Sequence, residues 1–166
     1  MKAIKMNTSP NYLDAFPQAV TELNQTTTSS TAGKRILLVD DEMHILRAAE
    51  FKLKRSGYEI ECVEDGQQAW EAIQEQMPDL LITDFHMPRL DGLGLCRLVR
   101  EDEATRQLPI IMLTAKGFEM TSDDNLESLE IAAILAKPFS PRGLVNCVEA
   151  VLTTGSFEQP PISYLR

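Results

Sequence analysis

At 166 residues, 43% hydrophobic and 25% charged, the chain has the composition of a folded globular protein, which excludes a disordered one. Its formal net charge of −9 argues against a nucleic-acid reader, which needs a basic face. The three scattered cysteines, Cys62, Cys96 and Cys147, form no C-x-x-C pair, and no apolar run approaches the roughly 20 residues of a membrane span; both point to a cytoplasmic protein with reduced packing thiols.

Residues 1–33 read as an N-terminal extension. Thr26 to Thr31 is an unbroken Thr/Ser run of the kind that makes a flexible linker. Before it, Tyr12, Leu13, Phe16, Val20 and Leu23 fall near helical spacing but are interrupted by Pro17, so the segment is either a mobile arm or a short docking helix. No apolar stretch follows Met1, Lys2 and Lys5, so a secretory leader is not expected.

From Arg35 the texture changes. Ile36 to Val39 is an all-apolar run ending in Asp40-Asp41-Glu42, which predicts a buried strand. Ile45, Leu46, Ala49 and Leu53 share a helical face, with Gly57 as the stop. Tyr58 to Val63 predicts the second strand, Gln67 to Met77 a helix closed by Pro78, and Leu80 to Ile82 a third strand running into Asp84. A helix over Leu93 to Arg100 follows, then a strand over Ile110 to Leu113 and a helix over Ser122 to Leu129. Ile131 to Ala136 is the fifth apolar run and stops at Lys137-Pro138. Ser140 as N-cap and Pro141 in the first turn start the last helix, whose Leu144, Val148, Val151 and Leu152 share a face. Residues 34–153 thus form one domain, and 154–166, with Gly155 and Pro160-Pro161, a C-terminal tail. Phe157 and Tyr164 in that tail are either a short recognition motif or ordinary residues of a mobile end. Neither flank is long enough to build an output domain with its own core, so a stand-alone domain is expected.

Five strand–helix units are too few for an eight-fold barrel and predict an open, doubly wound α/β sheet with helices on both faces. In that architecture ligands sit at the carboxyl ends of the strands. The residues just beyond those ends are Asp40 and Asp41, Asp84, Thr114 and Lys137, so they should converge. Carboxylates gathered at one edge repel one another unless a cation sits among them, and hard oxygen ligands favour Mg²⁺. A carboxylate can also attack phosphorus to give an acyl phosphate, with the cation, an ammonium and a hydroxyl neutralising the phosphoryl oxygens. Taken singly, Asp40-Asp41-Glu42 would be helix N-terminal acids and Asp84 a turn residue. The joint placement at four strand ends carries the argument.

Those residues, together with Asp84-Phe85-His86-Met87-Pro88, Asp91-Gly92, Thr114-Ala115 and Lys137-Pro138-Phe139, resemble the receiver domain of bacterial two-component response regulators, over about residues 34–153. The resemblance implies a flavodoxin-like five-stranded parallel sheet of order 2-1-3-4-5. It implies Asp84 as phospho-acceptor from a histidine kinase or phosphotransfer protein. Asp40, Asp41, Asp84 and the backbone carbonyl of His86 would hold Mg²⁺, Lys137 would bind a phosphoryl oxygen, and Thr114 would be the switch hydroxyl. It also implies a cis bond between Lys137 and Pro138 and no activity beyond self-phosphorylation and autodephosphorylation. The His86 side chain, two positions after the acceptor, would tune the phosphoryl lifetime, whereas His44 reads as a surface residue. Output would pass to a downstream protein partner or through a homodimer, with no direct nucleic-acid contact.

The chain departs from the family pattern at three places. Ile134 stands where many receivers carry an aromatic that couples to the threonine, and Glu130-Ile131 replace a Gly-Ala. The segment from Lys116 to Leu129 is acidic, with Glu119, Asp123, Asp124 and Glu127, so its partner face should differ from the chemotaxis type. Two other functions fit parts of the pattern. A receiver-like scaffold would have no need for all five site residues. A Mg²⁺-dependent phosphohydrolase with an aspartyl-phosphate intermediate would want an acid where His86 stands, and a substrate cap.

Overall fold

The computed structural model of the chain describes residues 33–115 and 126–156. The elements are β1 (Arg35–Val39), α1 (Met43–Arg55), β2 (Glu59–Val63), α2 (Gly66–Glu75), β3 (Leu80–Asp84), α3 (Gly92–Glu101), β4 (Ile110–Thr114), a short 3-10 helix (Leu126–Leu129), β5 (Ala133–Ala136) and α4 (Pro141–Thr154). All five strands run parallel in the order β2-β1-β3-β4-β5. The order and the flavodoxin-like class are those the resemblance implied.

Every strand residue of β1, β3 and β4 beyond Arg35 is buried, because a parallel sheet covered on both faces leaves none exposed. Alternation divides the core in two. Ile36, Leu38, Leu80, Ile82, Ile111 and Leu113 point towards α1 and α4, with Leu46, Leu53, Leu144 and Val148. Leu37, Val39, Leu81, Ile110 and Met112 point to the other face, with Ile73, Leu95, Cys96 and Val99 from α2 and α3.

Local sequence sets the helix ends. After α1, Gly57 takes φ 93°; its N–H donates to Lys54 O at 3.0 Å and that of Tyr58 to Leu53 O at 3.3 Å. This is a Schellman end, with Tyr58 and Leu53 buried in one cluster as its apolar contact. Asp65, Asp91 and Ser140 each cap a helix, accepting the N–H of Gln68, Gly94 and Gly143.

Three expectations shift. The helix closed by Pro78 ends at Glu75, because Gln76 is already extended ahead of the proline. The described part of the segment Ser122–Leu129 is a 3-10 turn, Leu126–Leu129, and residues 116–125 lie outside the described ones. The fifth strand begins at Ala133, not Ile131: Glu130 turns at φ 46° and the Arg100 guanidinium holds the carbonyls of Leu129 and Glu130, so the chain joins the sheet later. The expectations for the N-terminal arm and for Phe157 and Tyr164 fall outside the described residues. Among the described residues no helix is long and apolar enough to cross a membrane.

Candidate functional site

Strand order reverses between β1 and β3, and the crevice at that reversal opens at their carboxyl ends. Asp40 follows β1 directly and Asp84 closes β3. Both are buried, at 0% and 5% exposure, whereas Asp41 is exposed. Carboxylate oxygens of Asp40, Asp41 and Asp84 all lie within 4.8 Å of one another. The crossover loop from β5 brings Lys137 into the same crevice. Its Nζ sits 2.7 Å from Asp40 Oδ2, 2.8 Å from Asp84 Oδ1 and 3.2 Å from Glu42 Oε1.

The backbone holds these groups from below. Phe85 N–H donates to Leu113 O at 2.8 Å and Lys137 N–H to Thr114 O at 2.7 Å, which ties the ends of β3, β4 and β5 together. Asp40 Oδ1 accepts from Glu42 N–H at 2.9 Å, and Asp84 Oδ2 from His86 N–H at 3.0 Å. Gly92 lies against the Asp84 backbone so closely that a Cβ there would stand 2.1 Å from Asp84 O. The Lys137–Pro138 bond is cis, as the resemblance implied.

Charge in the crevice is unbalanced. Burial pushes the Asp40 carboxyl above its ordinary pKa of 3.8, although the Lys137 ammonium and the Glu42 N–H pull the other way. Burial alone would lower the Lys137 pKa, but its ion pairs with Asp40 and Asp84 outweigh burial and hold it well above the usual lysine value. Asp40 Oδ2 is buried without an aligned hydrogen bond; the 2.7 Å approach of Lys137 is an ion pair rather than a directed one. Three carboxylates facing one ammonium, all with oxygen donors, fit a hard divalent cation.

The structure therefore brings together Asp40, Asp41, Asp84 and Lys137, the residues singled out by their places after strands. Thr114, 2% exposed, closes the neighbouring strand β4. His86 is exposed, its ring edge-on to Phe85 with centroids 4.5 Å apart. Ile134 is half-buried, level with Met112 and packed on the α2–α3 side of the core, so the position where the resemblance leads one to expect an aromatic is filled by an aliphatic contact. His44 is a surface residue, its Nε2 3.6 Å from Glu42 Oε2.

Burial raises the thiol pKa values of Cys62 and Cys147 to about 11 and of Cys96 to about 12, so none is a thiolate nucleophile at neutral pH. Sequence reasoning missed Glu42 as a partner of Lys137 and missed the pair formed by Arg89 Nη2 with Asp65 Oδ2. The only signal for Glu42 was its place beside two other acids, which reads equally well as a helix start.

A family model described as the response regulator receiver domain matches residues 36–149. The chain is 44% identical over 122 residues to the phosphate regulon transcriptional regulatory protein PhoB of Pseudomonas aeruginosa, covering 72% of this chain and 52% of that protein. It spans about half the length of the curated relatives it matches. Among solved structures, it resembles the receiver domain of the sensor histidine kinase PA1611 from Pseudomonas aeruginosa PAO1, which has a magnesium ion coordinated in its active-site cleft. That match has 32% identity and a TM-score of 0.68, covering 74% of this chain and all of the other (100%). It also resembles the chemotaxis response regulator CheY4 of Vibrio cholerae, with 28% identity, a TM-score of 0.67, and 72% and 99% of the two chains covered.

Proposed function

Because this chain belongs to the family of response regulator receiver domains, we propose that it acts as a phosphorylation-dependent switch with Asp84 as its acceptor. A carboxylate oxygen of Asp84 attacks the phosphorus of a phosphohistidine on a histidine kinase or phosphotransfer protein. An O–P bond forms as the N–P bond breaks, and the departing electron pair stays on the imidazole, which takes up a proton. Lys137 binds one phosphoryl oxygen and the Thr114 hydroxyl donates to another.

Asp40, Asp41, Asp84 and the His86 carbonyl would hold Mg²⁺, which supplies neutralisation of the phosphoryl charge. The exposed His86 ring, two positions after the acceptor in sequence, tunes water access to the acyl phosphate. The protein catalyses only its own phosphorylation and dephosphorylation, works in the cytoplasm, and passes its signal by protein contact, to a downstream partner or a second copy. Phosphorylation shifts the population towards the conformer that the partner binds better.

The observation that carries this reading is one lysine, its side chain 9% exposed, shared at 2.7 and 2.8 Å between carboxylates at the ends of the two strands flanking the switch point. The test is intact mass after incubation with Mg²⁺ and acetyl phosphate. Wild type gains one phosphoryl group, lost in hydroxylamine, and Asp84→Asn gains none. Equal labelling of both proteins would refute the assignment, and sustained turnover of p-nitrophenyl phosphate would favour a hydrolase.

A further inference from the structure

The loop between Asp84 and α3 contains a residue in an uncommon backbone state. Arg89 has φ 68°, the left-handed region that side chains other than glycine enter only at a cost. Such a conformation persists where its surroundings over-determine it, and here they do. The Arg89 Nη2 pairs with Asp65 Oδ2. Asp65 is 1% exposed and already serves as the N-cap of α2, accepting from Gln68 N–H at 2.9 Å and Gln68 Nε2 at 2.8 Å.

The next residue, Leu90, is seated on the same helix start. A Cβ at Gly66 would stand 2.4 Å from Leu90 O, and one at Gly94 would stand 2.6 Å from Leu90 Cδ1. Gly92 then presses on Asp84 O. Close contact thus runs unbroken from the start of α2, through the loop, to the backbone of the acceptor. The other end of the same loop carries His86, whose N–H binds the Asp84 carboxylate.

We propose that Arg89 is a positioning residue for phosphoryl transfer: paired with Asp65, it pins the β3–α3 loop to the start of α2 and so holds the His86 main chain and the Asp84 carboxylate in their working geometry. The inference rests on the phospho-acceptor reading of Asp84. An exposed arginine that only decorated the surface would have no reason to occupy a strained backbone state and to reach a buried helix cap. Groups that orient a metal's ligands without touching the metal change its affinity by about 10- to 100-fold when removed.

Arg89→Gly makes the cleanest test, since it removes the cation while relieving the backbone, so the fold is expected to hold. Three readouts are taken on the full chain: Mg²⁺ affinity by calorimetry, hydrogen exchange of the amides of residues 85–92, and phosphorylation by acetyl phosphate as a function of Mg²⁺. In Arg89→Gly the melting temperature stays near that of wild type, Mg²⁺ binds about 10-fold more weakly, the loop amides exchange faster, and phosphorylation needs more Mg²⁺. Arg89→Lys recovers most of the affinity, and adding Asp65→Asn to Arg89→Gly costs little more, because the two residues act as one pair. Unchanged Mg²⁺ affinity and unchanged loop exchange in Arg89→Gly would overturn the proposal. If wild type takes up no phosphoryl group while the loop amides and Mg²⁺ affinity still respond, the acceptor reading fails and with it the role in phosphoryl transfer, and Arg89 is left only as the residue that pins the loop and the Mg²⁺ ligands. If wild type is phosphorylated and Arg89→Gly matches it in every readout, the reverse holds.

Discussion

The Lys137 ammonium lies 2.7 Å from Asp40 Oδ2 and 2.8 Å from Asp84 Oδ1, so one cation is shared by two buried carboxylates from different strands. Removing it leaves both acids buried without a counter-charge. Breaking a buried pair from one side costs about 3–5 kcal/mol. We therefore predict that Lys137→Ala is strongly destabilised in urea unfolding, and that adding Asp40→Asn recovers a large part of the loss. A Lys137→Ala protein as stable as wild type would contradict this account of the crevice.

Asp40→Asn alone should act in the opposite direction. Burial disfavours the Asp40 charge more than Lys137 and the Glu42 N–H favour it, so its folded pKa lies above the ordinary 3.8. Protons are then bound more tightly by the folded state. The stability contributed by Asp40 is fully present below pH 3.8 and is lost as pH rises through the folded pKa. At neutral pH and without divalent cations, Asp40→Asn is expected to be more stable than wild type by on the order of 1 kcal/mol. Added Mg²⁺ should raise the melting temperature of wild type by mass action and that of the variant much less. A variant that melts below wild type in EDTA would rule this out.

Gly92 tests the link between the loop backbone and Asp84. A Cβ there would stand 2.1 Å from Asp84 O and 3.1 Å from Phe85 Cα, and both neighbours are main chain that cannot swing aside. Gly92→Ala is predicted to cost about 1–3 kcal/mol, as overpacking does, and to slow phosphorylation because Asp84 itself must move. Thermal melts and the rate of phosphoryl uptake check the two halves separately.

The parts of this molecule that were legible in the sequence are those in which neighbours in the chain do the work. The apolar runs of β1, β3 and β4 were legible because both faces of an inner parallel strand are buried, and the residues after the strands fell on one edge by topology alone. Asp40, Asp41, Asp84, Thr114 and Lys137 could be found in that way. The Ser140 cap and the Gly57 stop were legible because capping depends on residues a few positions apart. Arg89 with Asp65, and Lys137 with Glu42, were not, since each pair joins segments far apart in the chain. Arg100 is similar: its guanidinium binds the carbonyls of Leu129, Glu130, Arg106 and Leu108, and nothing around Arg100 in sequence announces this. Glu130 was visible only as a departure from a family glycine, and the structure gives the physical content of that departure in its φ of 46°.

That departure makes a prediction of its own. An L-residue in the left-handed region carries a penalty of roughly 1–2 kcal/mol, while glycine adds up to about 1 kcal/mol of unfolded-state entropy. Glu130→Gly should therefore raise stability by a few tenths to about 1 kcal/mol, leaving the Arg100 contact to the Glu130 carbonyl intact because that contact is to the main chain. A drop in melting temperature would mean that the Glu130 carboxylate makes a favourable interaction of its own.

The base of the sheet supplies a pH dependence of the opposite sign to that of Asp40. Asp79 accepts from Arg35 N–H at 2.8 Å and from Lys34 Nζ at 2.8 Å, which ties the start of β1 to the residue before β3. Burial would raise its pKa, but these two hydrogen bonds and the Lys34 charge outweigh it, and the carboxyl titrates below its ordinary 3.8. A depressed carboxylate contributes stability that is present above its unfolded pKa and is lost as pH falls through the folded one. Urea unfolding of wild type and Asp79→Asn should therefore differ most at neutral pH, with the variant less stable, and the two curves should converge as pH is taken below 3.8. Added salt should narrow the neutral-pH gap only in part, since Lys34 is half-exposed and screened while the Arg35 N–H bond is not. A gap that is independent of pH would mean that Asp79 acts through packing and hydrogen bonding alone, without its charge.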